Sequence, residues 1–173
     1  MSRVPLLSSP PEVVKRMLEV AEAGPGDVVC DLGCGDGRIL IAAVEDFKAK
    51  EAVGYEIRED VCNNAVEEVV RANLQDRIRI INGDFFEADL SRASVITVYL
   101  NSFTNEKLRL KLERETSPGT RIVSHDYPMP SWQPLREDTF QEDHNSHTIY
   151  LYVVPTSFSA DKASHMTKQV LAT

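Results

Sequence analysis

The sequence predicts a doubly wound α/β domain built on a seven-strand sheet, with five parallel strands and an antiparallel pair at one edge. Three observations carry this. Short β-branched runs alternate with amphipathic helical stretches over the first 125 residues, the pattern of a parallel sheet with crossover helices. A turn with alternating glycines (Gly33, Gly35, Gly37) follows the first run directly. The last two strand-like runs have only a loop between them, and a connection that short joins antiparallel neighbours.

Taken in order, Ser8-Ser9-Pro10-Pro11-Glu12 reads as a helix start with proline early. The helix turns Val13, Val14, Met17, Leu18, Val20 and Ala21 inward and stops before Gly24-Pro25-Gly26. Val28-Val29-Cys30 is a buried strand with Asp31 at its tip, and Ile39, Leu40, Ala42, Ala43 and Phe47 mark the helix after the glycine turn. A second strand covers 52–57, and a helix over 59–73 faces Val61, Ala65, Val66, Val69 and Val70 inward. A third strand, 78–81, ends in Asn82-Gly83-Asp84-Phe85-Phe86. A fourth covers 94–100, followed by a helix from about 105 to 115, and a fifth covers 119–124. Three prolines around Trp132 make 128–135 a loop. Runs at 135–141 and 147–154 supply the edge pair. The expected domain is 1–155, with 1–23 packing on it. The polar tail 156–173 contains Ser164-His165-Met166, which reads as a cloning remnant or a natural extension.

Composition narrows the class. At 173 residues, 42% hydrophobic and 27% charged, the chain suits one globular domain with a real core. No apolar run reaches the ~20 residues that span a bilayer, and Met1-Ser2-Arg3-Val4-Pro5 lacks the apolar centre of a secretion signal. Three cysteines with no C-x-x-C pair point to a reduced, cytoplasmic setting and to packing roles for Cys30 and Cys34. The net charge of −8 argues against stable nucleic-acid binding and favours basic partners. His144 and His147 form an i, i+3 pair without nearby cysteines, so no metal is expected.

The glycine spacing selects the ligand. A dinucleotide site needs a third glycine where this chain has Arg38, and no phosphate-binding P-loop string occurs. In a doubly wound sheet the ligand lies over the carboxyl ends of the strands, so the tip residues form one constellation. Asp31 ends the first strand, where a helix cap is the competing role. Glu56 ends the second, 19 residues past Gly37, where a carboxylate can accept from two ribose hydroxyls. Asp84 can accept from an adenine amino group with Phe85 near the ring, or can serve an Asx turn. Asn101, in Tyr99-Leu100-Asn101-Ser102-Phe103, ends the fourth strand and is not part of an N-P-P-[YF] string. At the fifth tip, His125 in Ser124-His125-Asp126-Tyr127 reads equally as a base or as a structural partner of Asp126.

Asp31-Leu32-Gly33-Cys34-Gly35-Asp36-Gly37 resembles motif I of the class I S-adenosylmethionine-dependent methyltransferases, whose fold is Rossmann-like. Further strings extend the likeness over about 4–154: Asn82-Gly83-Asp84-Phe85-Phe86-Glu87, Pro118-Gly119-Thr120-Arg121-Ile122-Val123-Ser124-His125, Trp132, and His147-Thr148 with Tyr150-Leu151-Tyr152-Val153. Together they resemble the archaeal protein-lysine methyltransferases, and the strand-four ending is the point of departure. The resemblance implies S-adenosylmethionine as cofactor, held by Asp31, Gly33, Gly35, Glu56, Asp84 and Phe85. It implies methyl transfer to the ε-amine of lysine in proteins, with loose sequence preference. Tyr127 and Trp132 are then expected to wall the lysine channel, with Asn101 at its mouth. A small-molecule or RNA methyltransferase, or a silent cofactor-binding module, remains open on the same fold.

Overall fold

The computed structural model describes residues 8–158. Its elements are α1 (Pro11–Val20), β1 (Val28–Leu32), α2 (Arg38–Glu45), β2 (Glu51–Glu56), α3 (Glu59–Arg71), β3 (Ile78–Asn82), β4 (Val95–Val98), α4 (Ser102–Glu115), β5 (Arg121–His125), β6 (Arg136–Glu142) and β7 (Asn145–Val153). The strands form one sheet in the order β3-β2-β1-β4-β5-β7-β6. The first five are parallel, and β7 runs antiparallel to both β5 and β6. The expected topology is therefore observed. Because β1 lies between β2 and β4, the chain reverses its winding direction there, and a crevice opens at the carboxyl ends of those strands.

Alternate residues of each strand feed two apolar cores. One face packs Val29, Ala52, Ile78 and Val95 against Val13, Met17, Leu18, Leu40 and Val44 of the helices. The other packs Cys30, Leu32, Ile96 and Ile122 against Leu108 and Leu112 of α4, together with Met129, Trp132 and Tyr152. Both faces of β4 are buried, which is why its sequence reads as a continuous apolar run.

Several boundaries differ from expectation, each for a local reason. The fourth helix starts at Ser102, because Asn101 Oδ1 accepts from the Thr104 backbone N–H at 2.9 Å and caps it. In α3 the buried stripe is Val61, Cys62, Ala65 and Val69, whereas Val66 and Val70 face solvent. Those two lie about 100° around the helix from the stripe, too far to reach the sheet. No crossover helix joins β3 to β4. The link has one 3₁₀ turn, Phe85–Glu87, and buries Ala88, Leu90 and Ala93 instead. The packed domain also runs past 155: Ser157 and Phe158 are buried, with the Phe158 ring 4.7 Å from that of Trp132. Val4, Pro5 and Ser164-His165-Met166 lie outside the described residues. No helix among the described residues is long and apolar enough to cross a membrane.

The tightest contact in the sheet is made by a missing side chain. A Cβ on Gly54 of β2 would lie 2.5 Å from Leu40 Cδ1, 2.6 Å from Cys34 Sγ and 2.8 Å from Cys34 Cβ. Cys34 belongs to the glycine turn and cannot withdraw without moving it. Gly54→Ala is expected to cost about 1–3 kcal/mol through overpacking, read as a lower urea midpoint with unchanged slope. An unchanged midpoint would show that the turn gives way freely.

Candidate functional site

The site is assembled by the turn after β1. In the sheet register Leu32 lies opposite Tyr55, so the next residue of β1 would face Glu56. Here the chain folds back over the end of β2: Gly33 and Cys34 both donate their N–H to the Tyr55 carbonyl at 2.9 Å, and Gly37 donates to the Cys34 carbonyl. Such a double turn needs left-handed backbone. Gly33, Gly35 and Gly37 have φ of 83°, 55° and 80°, which explains their alternation.

Glu56 closes the turn from the other side. Its Oε2 accepts from Gly35 N–H at 3.2 Å and its Oε1 from Arg58 N–H at 2.9 Å. A carboxylate has about four acceptor positions, so two remain for a ligand's hydroxyls. The residue is buried at 6% exposure and is fixed before any ligand arrives. Just beyond it, Ile57 is 69% exposed. An isoleucine that open at a strand tip is suited to lie against a flat ring. Its signal in the sequence was an apolar residue directly after the acidic tip.

Asp31 lies deeper. It is 3% exposed, and its Oδ1 accepts from Thr97 Oγ1 at 2.8 Å. It bonds into the sheet rather than capping a helix. Burial pushes its carboxyl up to about 7; the Thr97 bond works against this, and the nearby charges of Asp36 and Glu56 add to it. A cation arriving here would stabilise the ionised form. Asp84 is exposed and accepts from Phe86 N–H at 2.9 Å as the cap of the 3₁₀ turn, so the Asx-type role is present and engages one oxygen. Phe85 is half-buried against Phe86, with ring centroids 4.8 Å apart.

The N-terminal segment crosses this row. Arg38 grips Asp36 through Nε and Nη2, which holds the Asp36 carboxyl below its usual range. Its Nη1 donates to the Ser9 carbonyl at 3.0 Å. Ser9 Oγ lies 2.9 Å from His125 Nδ1. Ser9 is thus held from both sides, and a small cavity beneath it is lined by Ser8, Asp31, Gly33, Cys34 and Tyr99.

The aromatic wall differs from expectation. Tyr99, at the β4 tip, and Tyr127, past β5, are half-buried with ring centroids 6.3 Å apart. Trp132 is 5% exposed and packs edge-on to Tyr152, and its Nε1 donates to Glu113 Oε1 at 3.1 Å. The structure therefore places Trp132 in the core, holding the loop, and sets Tyr99 rather than Trp132 beside Tyr127. No local signal separates the two, because a loop tryptophan and a strand-end tyrosine suit a surface or a core equally well. Asn101 is exposed at the head of α4, where it serves as the cap. Asn105, missed in the sequence, is fully buried and donates through Nδ2 to the Tyr127 carbonyl at 3.0 Å. Ser124 Oγ donates to the same carbonyl.

His125 and His147 pair with each other, Nε2 to Nδ1 at 3.0 Å. His144 lies instead in the two-residue turn between β6 and β7, exposed. Burial drives His125 down to about 4, against the pull of Asp126, so it is neutral near pH 7. Burial likewise pushes the Cys30 thiol up to about 12 and the Cys34 thiol higher still.

Comparison with known proteins gives three kinds of match. The family model of the ANTKMT methyltransferase domain matches residues 31–136. A protein-lysine N-methyltransferase of Saccharolobus islandicus is 44% identical over 151 residues, covering 87% of this chain and 94% of the relative. The adenine nucleotide translocase lysine N-methyltransferase of Mus musculus is 31% identical over 77% of this chain, which spans 57% of that longer protein. Among solved structures, an RNA methyltransferase from Salinibacter ruber in complex with S-adenosyl-L-homocysteine superposes with a TM-score of 0.82. It is 41% identical and is covered to 98%, over 90% of this chain.

The electrostatics of Asp31 generate a test that needs no ligand. Its folded pKa stands near 7 against an ordinary 3.8, so between about pH 4 and 7 the folded state holds a proton that the unfolded chain has released. This group's contribution to stability therefore falls as pH rises through that window. Asp31→Asn should stabilise the ligand-free protein above pH 7 by on the order of 1–3 kcal/mol, and the gain should vanish near pH 4. A variant less stable than the parent at pH 8 would contradict the assignment.

Proposed function

This chain belongs to the ANTKMT methyltransferase-domain family, and from that premise we propose that it transfers the methyl group of S-adenosylmethionine to the ε-amine of lysine in proteins. The observation that carries the reading is the ordered row of strand tips. Adjacent strands are ~4.8 Å apart, and Asp84, Glu56, Asp31 and Tyr99 lie at or within two residues of the carboxyl ends of four neighbours in the order β3, β2, β1, β4. That row suits adenine, ribose, the methionyl group and the methyl mouth in sequence, with Phe85 and Ile57 flanking the base. The glycine turn, with Gly33 and Gly35, lies against the middle of the ligand, where a Cβ would intrude. S-adenosylmethionine supplies a methyl group made electrophilic by a sulfonium.

The protein's part is to present a neutral amine in line. Lysine has a pKa near 10.4, so losing its proton at pH 7 costs about 4–5 kcal/mol. The half-buried rings of Tyr99 and Tyr127 give the side chain an apolar approach that disfavours the ammonium, and alignment supplies the remainder. Asn105 and Ser124 hold the Tyr127 peptide in place. The net charge of −8 favours basic protein substrates over nucleic acid. A cytoplasmic location fits a chain with three free, buried cysteines.

A second reading has one specific support: the Salinibacter relative, at 41% identity, is described as an RNA methyltransferase. Labelled S-adenosylmethionine offered with basic proteins, RNA and reductively methylated protein separates the two. Label on lysine of the untreated protein alone is expected, with a rate rising about tenfold per pH unit below the bound lysine's pKa. RNA labelling, or equal modification of the lysine-blocked protein, would overturn the lysine reading.

The wall residues separate by variant. Glu56→Ala should weaken cofactor binding by about 1.5–3 kcal/mol in calorimetry. Tyr99→Ala should lower kcat while leaving cofactor affinity within about twofold, since its ring faces the acceptor side. Trp132→Ala should instead cost about 3–5 kcal/mol of stability, seen as a lowered denaturation midpoint. A stable but slow Trp132→Ala protein would return that residue to the channel.

A further inference from the structure

One side-chain cluster beyond the methyl-transfer site converges on a point. His125 Nε2 and His147 Nδ1 are 3.0 Å apart, and Asp126 Oδ2 is 3.2 Å from the first and 3.6 Å from the second. We propose that these three atoms form a binding site for a zinc-class divalent cation, which joins the tip of β5 to β7. Atoms with those separations lie on a circle of about 1.9 Å radius, so a cation about 2.05 Å from each, a usual zinc–nitrogen or zinc–oxygen length, sits just out of their plane. Two imidazoles and one carboxylate are donors that suit zinc, and three protein donors leave a position open.

The surroundings turn the donor atoms toward that point. His125 Nδ1 faces Ser9 Oγ at 2.9 Å, so its N–H can donate outward while Nε2 keeps its lone pair inward. His147 Nε2 is buried without a hydrogen-bond partner among the described residues, with the Glu142 carboxylate 3.8 Å away to favour its proton. Asp126 is held in left-handed backbone, φ 59°, by a bond from its own N–H to the Thr148 carbonyl and by one from Thr148 N–H to its Oδ1. With both outer nitrogens protonated, three lone pairs face one another, and a cation is what satisfies them together. In the rival arrangement Ser9 Oγ–H donates to His125 Nδ1 and one proton lies between the rings, a metal-free pair that the titration below tells apart from the cation site. The His125 ring also stacks on Tyr99 at 4.0 Å between centroids, so the cation fixes a wall of the methyl-transfer site without entering it.

The test reads metal directly and does not depend on activity. Full-length, tag-free protein is stripped with chelator and titrated with Zn²⁺ against a chromophoric competitor, and Co²⁺ is added separately for its visible absorption. One ion per chain is expected, with a raised thermal midpoint and a cobalt spectrum of low coordination number. Asp126→Asn and His147→Gln should weaken binding at least tenfold, Glu142→Gln about tenfold as an outer partner, and the exposed His144→Ala not at all. Circular dichroism confirms that each variant is folded. No stoichiometric ion in the parent, or equal binding by the parent and Asp126→Asn, would overturn the site and leave a hydrogen-bonded histidine pair.

Discussion

The molecule depends on the fold-back of the glycine turn over the end of β2. Two N–H groups, from Gly33 and Cys34, converge on the Tyr55 carbonyl, and a third, from Gly35, reaches the Glu56 carboxylate. The sheet below must accept this close approach, and Gly54 provides the room, since any Cβ there would collide with Cys34 and Leu40. One contact thus couples strand pairing, the direction in which α2 departs and the position of the Glu56 carboxylate. A residue that looks like a weakness in a strand, a central glycine, is what lets the site and the core coexist.

The second organising feature is concentrated negative charge. Asp36 and Glu56 lie close enough to raise the pKa of Asp31, which is buried and, among the described residues, is relieved by the Thr97 bond. Arg38 compensates Asp36 and at the same time ties down Ser9. The Asp31 carboxylate is therefore left without a compensating positive charge among the described residues. Crowding like charges in a buried place costs stability, and such a place is where proteins commonly trade stability for binding.

What could be read from the sequence follows from the range of the interactions. The glycine turn, the acidic tips and the division into five parallel strands and an antiparallel edge pair are set by local spacing and by short connections, and these were legible; the order of the strands in the sheet was not. The side of α3 on which Val66 and Val70 fall was not, because valine fits a helix flank as well as a core. Trp132 was misplaced because its neighbours come from two distant segments, Glu113 from α4 and Tyr152 and Phe158 from β7 and the residues just past it. Likewise His147 was matched with the histidine nearest in sequence. Its partner is 22 residues earlier, brought there by antiparallel pairing of β5 with β7. The tail's first residues looked polar and dispensable, yet Phe158 completes the packing under the loop.

The three cysteines have a practical consequence. Cys30, Cys34 and Cys62 are buried, and all three thiols are harder to ionise than a free one. Thiolate is the species that oxidants and alkylating reagents attack, so the folded chain offers almost none. Its own sulfurs should therefore react slowly with such reagents while the fold is intact. A cysteine introduced at an exposed position becomes its one chemical handle, and a fluorophore or spin label attached there reports from a single known place.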